Sequence, residues 1–118
     1  TYLPTGKILG KDSITEKFLD GTFTCGNGNL SRHYKACGAG VIKLTDTKNR
    51  LSVVYENDQK FSWRLFYSGE LDKYFCLEPQ TCMANCQNAP FDREYAGFDF
   101  IEAHKSKRYV SKIYLTEV

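Results

Sequence analysis

From residue 41 onward, apolar and polar side chains alternate with a period of two, the spacing of a strand with one covered face. Val41-Ile42-Lys43-Leu44 and Leu51-Ser52-Val53-Val54-Tyr55 flank Thr45-Asp46-Thr47-Lys48-Asn49-Arg50, whose polar turn-formers predict an antiparallel hairpin. On its second strand, Leu51, Val53 and Tyr55 share the face expected to be buried. Phe61-Ser62-Trp63-Arg64-Leu65-Phe66-Tyr67 is the strongest strand, with Phe61, Trp63, Leu65 and Tyr67 on the side expected to lie inside a sheet sandwich. Residues 74–79 predict another strand, which Pro79 is expected to end because proline has no amide donor. Residues 80–93 read as a loop, and residues 108–116 as a terminal strand.

Ahead of this β-rich part, residues 2–9 form an extended segment broken at Pro4 and Gly6. Ser13 and Glu16 have capping-box spacing, and Ile14 lies one turn before Phe18. The short helix they predict is marginal alone, so Ile14 and Phe18 are expected to pack on a sheet. The fold class is therefore mainly β, antiparallel and sandwich-like. At 118 residues the chain suits one domain, and a preceding sheet or larger parent chain is expected to supply further cover for its extensive sheet surface.

Composition narrows the function classes. A net charge of +2 is too small to indicate a nucleic-acid partner, and Lys105, Lys107, Arg108 and Lys112 beside Tyr109 form no ordered stacking row. No apolar run reaches the roughly 20 residues of a membrane span. Five cysteines are an odd set, and with no leader at the amino end a reducing, cytoplasmic location is expected. Cys76, Cys82 and Cys86 are compatible with free thiols, a disulfide or a metal site, although their gaps exceed the paired spacing of zinc knuckles. The aromatic Trp63 is either a core residue of its strand or a sugar platform. His33, in the polar stretch 29–35, and His104, beside Lys105, both read as solvated.

Tyr2-Leu3-Pro4-Thr5-Gly6-Lys7-Ile8-Leu9, Leu19-Asp20-Gly21-Thr22-Phe23, the sheet region 41–67, Phe75-Cys76-Leu77-Glu78-Pro79-Gln80-Thr81 beside Asn88, and the final strand occur in an order that resembles the carboxy-terminal part of the aldose 1-epimerase, or galactose-mutarotase-like, family. The resemblance implies an antiparallel β-supersandwich in which residues 1–118 are the carboxy-terminal portion and the amino-terminal catalytic region is absent. It implies exchange of the α and β anomers of a free aldose such as galactose or glucose, without a cofactor or metal. Glu78 matches the family's catalytic glutamate. Asp20 matches an aspartate that binds sugar hydroxyls, although Gly21 stands where many relatives carry a second polar residue. Neither His33 nor His104 matches the family's catalytic histidine.

The chemistry gives the Glu78 match its meaning. A base removes the proton of the anomeric hydroxyl while an acid protonates the ring oxygen, so the ring opens to an aldehyde; rotation and reclosure give the other anomer. Asp20 has a turn role as its alternative, and Glu78 that of an exposed strand-end carboxylate. With the acid unmatched, the isolated chain is expected to lack efficient activity unless it assembles with the missing region or a second copy. A carbohydrate-binding module without catalysis, or a structural interaction domain, are the competing classes.

Overall fold

The computed structural model describes residues 3–26, 28–36, 40–70 and 73–118. Helix α1 (Ser13–Asp20) is followed by β1 (Leu30–Lys35), β2 (Gly40–Asp46), β3 (Leu51–Asn57), β4 (Trp63–Ser68) and β5 (Cys76–Gln80). A 3-10 turn at Cys86–Asn88, helix α2 (Arg93–Ala96) and strand β6 (Ser111–Glu117) complete the order. Two three-stranded antiparallel sheets result, β1-β4-β5 and β2-β3-β6, so the mainly β expectation describes the chain.

The helix begins one residue earlier than the capping-box pattern suggests. Asp12 is the N-cap: its Oδ1 accepts from the Thr15 amide at 2.9 Å and from the Thr15 hydroxyl at 2.8 Å. Gly21 ends the helix at φ 76°, a left-handed conformation that costs glycine least. As expected, Ile14 and Phe18 pack on the β1-β4-β5 sheet, where Phe18 stacks on Phe66 with centroids 4.5 Å apart. Tyr34, Leu77 and Phe23 join that cluster.

Four local expectations are corrected. In β3 the buried side chains are Ser52, Val54 and, at the strand's end, Asn57, whereas Leu51 is 40% exposed. Val54 stands between Lys43 of β2 and Tyr114 of β6 in the register, on the middle strand of its sheet with a partner on each side. Ser52 is satisfied by Thr45, hydroxyl to hydroxyl at 2.9 Å. In β5, Pro79 does not end the strand: it sits opposite Arg64, on an edge strand, where a sheet tolerates proline. Trp63 is covered not by a second sheet but by Met83 and Ala96 from the segment after β5. That segment, expected to be a plain loop, includes the 3-10 turn and leads into α2.

Strand β1 lies in the stretch read as polar and solvated. Leu30, Arg32 and Tyr34 alternate with Ser31, His33 and Lys35, and the strand pairs with β4 over its whole length. Only two of these six side chains are aliphatic or aromatic, so periodicity alone carried little signal. A buried guanidinium links the sheets: Arg64 Nη2 donates to Asn57 Oδ1 at 2.6 Å, while Nη1 donates to the Phe61 and Trp63 carbonyls at 2.6 and 2.8 Å.

Candidate functional site

Strand alternation divides the β1-β4-β5 sheet into two chemically different faces. Arg32, Tyr34, Phe66 and Leu77 point to the side where α1 packs. The other side carries three cross-strand rows: Ser31, Tyr67 and Cys76; His33, Leu65 and Glu78; and Lys35, Trp63 and Gln80. Glu78 therefore shares a face with His33 across the central strand, with Leu65 between them. Gln80 Nε2 donates to Glu78 Oε2 at 3.4 Å, two residues along the same edge strand.

Beside this row lies a cleft of about 750 Å³ lined by Ser31, His33, Phe61, Leu65, Gln80 and Met83, among others. Its size is that of a small-molecule site, and its apolar wall with a few polar groups suits a ring that presents both CH faces and hydroxyls. A second hollow, of about 600 Å³, lies between Ile8 and Pro90, Phe91 and Tyr95, with Asp92 as its charged group. Tyr95 supplies its hydroxyl, and neither Glu78 nor His33 is among its lining residues.

His33 corrects the solvated reading. It is half-buried, its ring lies 5.0 Å from that of Trp63, and its Nε2 is shut off from solvent without a hydrogen-bond partner. Burial pushes the imidazole below its ordinary pKa, while the Gln80 amide and the Glu78 carboxylate pull the other way. His33 and Gln80 are the residues of this face that sequence reasoning did not single out. The Gln80 signal was present in the Leu77–Thr81 motif, whereas that of His33 required knowing that residues 30–35 form a strand.

Trp63 is 6% exposed and packs with Met83, Ala96 and Tyr95, which makes it a core residue and not a sugar platform. Asp20 stands elsewhere. It ends α1, which packs on the opposite face from Glu78, and its Oδ1 accepts from the Thr22 hydroxyl at 2.6 Å and the Thr22 amide at 2.9 Å. Those bonds, the hydroxyl first, hold its carboxyl below the usual range. The structure thus does not bring Asp20 and Glu78 to one face. His104 is exposed in a turn at φ 63°. Asn88, in the 3-10 turn, donates to Asn85 Oδ1 at 3.0 Å.

Among the described residues no group of three or more His, Cys, Asp or Glu side chains is placed to hold a metal, and Cys25, Cys76, Cys82 and Cys86 are thiols; Cys37 lies outside the described residues. Nor is any described helix long and apolar enough to cross a membrane.

The sheets and their connections define the chain as a mainly antiparallel β protein with the galactose mutarotase-like fold. A similar solved structure is a galactose mutarotase-like protein from Clostridium acetobutylicum, which superposes with a TM-score of 0.86 at 23% identity. The match covers 98% of this chain and 37% of that one. No protein-family model and no curated protein matches the sequence.

Proposed function

We propose that these residues are the carboxy-terminal portion of an aldose 1-epimerase-like domain, and that the face carrying Glu78 binds a free aldose such as galactose or glucose. The observation that carries the reading is the placement of Glu78. It belongs to the Leu77-Glu78-Pro79-Gln80-Thr81 motif and projects from the face opposite α1, in one row with His33 and beside a cleft of small-molecule size that its neighbours Pro79 and Gln80 help line.

In this reading Glu78 is the general base. It takes the proton of the anomeric hydroxyl as an acid protonates the ring oxygen and the ring C–O bond opens; after rotation about the bond to the aldehyde carbon, the aldehyde is attacked by the ring hydroxyl and both protons return. The reading assigns the base and leaves the acid to a group other than His33 or His104. Asp20 contributes a hydroxyl contact only if the sugar, or a second sugar, reaches the α1 side. The thiols suit a reducing compartment such as the cytoplasm.

Glu78→Gln keeps the side-chain size and removes the basic function. Polarimetry on the full protein is expected to show anomer exchange slowed about 100- to 10,000-fold, with sugar affinity and the folded spectrum little changed. Wild-type kinetics in a folded Glu78→Gln variant rule out Glu78 as the base. Unchanged sugar affinity together with no exchange in the wild type supports the competing reading of a carbohydrate-binding module.

A further inference from the structure

His33 and Glu78 stand on one face of the sheet, on either side of Leu65, and each has an incomplete set of partners. The long 3.4 Å bond from Gln80 occupies one oxygen of Glu78, while the Nε2 of His33 is enclosed and unpartnered. The other groups around them are accounted for. Lys35, the cation of the face, donates from Nζ to the Tyr95 carbonyl at 2.6 Å and lies over the Trp63 and Tyr95 rings. Tyr67 and Cys76 stand one row away with Ser31. Cys82, from the loop after β5, lines the cleft with its thiol pushed up by burial and by neighbouring Cys86. Glu78 is the acidic side chain of the face.

We infer that His33 is a positioning residue for Glu78: its neutral imidazole leaves the carboxylate free to meet a sugar over Leu65, and its protonation draws the carboxylate across the central strand and closes the site. The inference rests on the sugar-binding reading above. Neutral imidazole has one donor and one acceptor, and its enclosed Nε2 offers Glu78 no charge. Imidazolium donates from both nitrogens, so protonation supplies a charge-assisted partner to the carboxylate and satisfies the enclosed atom in the same step. Burial disfavours the charged ring, which places the switch on the acid side of the ordinary imidazole range.

Two measurements on the 118-residue chain separate this inference from the reading beneath it. The first follows the ring signals of the two histidines by NMR as a function of pH, in wild type and in Glu78→Gln, with His33→Gln identifying the signal. The His33 midpoint is expected to fall by about half a pH unit or more when the carboxylate is removed. An unmoved midpoint in a folded Glu78→Gln variant overturns the inference whatever the sugar does. The second titrates galactose into the wild type and His33→Gln above and below that midpoint. Affinity is expected to weaken about 3- to 10-fold on the acid side in the wild type and to stay level in the variant; His33→Asn serves if the first variant does not fold. Binding that ignores pH in the wild type overturns the inference. A moved midpoint with no galactose binding at any pH supports the coupling of His33 to Glu78 and overturns the sugar reading.

Discussion

His33 shows how one residue's surroundings change its chemistry. In sequence it sits among Asn29, Ser31, Arg32 and Lys35; in the folded chain its ring lies against Trp63 with Nε2 enclosed. Burial lowers its pKa from the ordinary 6.5, so the unfolded chain binds the proton more readily than the folded one. Stability is therefore full above about pH 6.5, falls as the pH drops from there to the folded-state value, and levels off below it. Urea midpoints at pH 7.5 and pH 5 are expected to differ more in the wild type than in His33→Gln; an equal difference in both places the acid sensitivity on other groups. Glu78 needed no such context. Its motif marked it, and strand alternation then placed it on a face.

Among the elements, β3 separates pattern from packing. Leu51, Val53 and Tyr55 look like the buried face because they are large and apolar, yet none of the three is buried, whereas Ser52 and Val54 between them are. Alternation says that a strand has two faces; it does not say which face a neighbour covers. In the register Val54 has Lys43 on one side and Tyr114 on the other, and the Tyr114 hydroxyl bonds to Glu56. Val54→Ala is accordingly expected to cost about 1.5–3 kcal/mol in urea denaturation, more than Leu51→Ala even though leucine is the larger side chain. The reverse order contradicts the face assignment. Pro79 makes the same point at an edge, since whether a missing donor matters depends on which side of the strand has a partner.

Across the whole molecule the two sheets share little cover. The radius of gyration is 15.7 Å, against ~13.5 Å for a compact domain of this length, and the long axis is 49 Å. The β2-β3-β6 sheet presents Leu51, Ile113 and Leu115 on one face, the last two 63% and 66% exposed. An environment-sensitive apolar dye is expected to bind this face, and Ile113→Thr with Leu115→Thr to remove about half of its fluorescence or more without unfolding the chain, because threonine suits a strand. Undiminished fluorescence in the folded double variant places the dye elsewhere. The sequence by itself determined the β class, the helix that docks through Ile14 and Phe18, and the motif around Glu78, because period, capping chemistry and local motifs are written within a few residues of one another. Only the tertiary structure decided which face of β3 is covered, that residues 30–35 pair as a strand, and that His33 stands with Glu78 while Asp20 stands on the other side. Those outcomes depend on side chains brought together from distant parts of the chain, where local pattern carries no information about the neighbour.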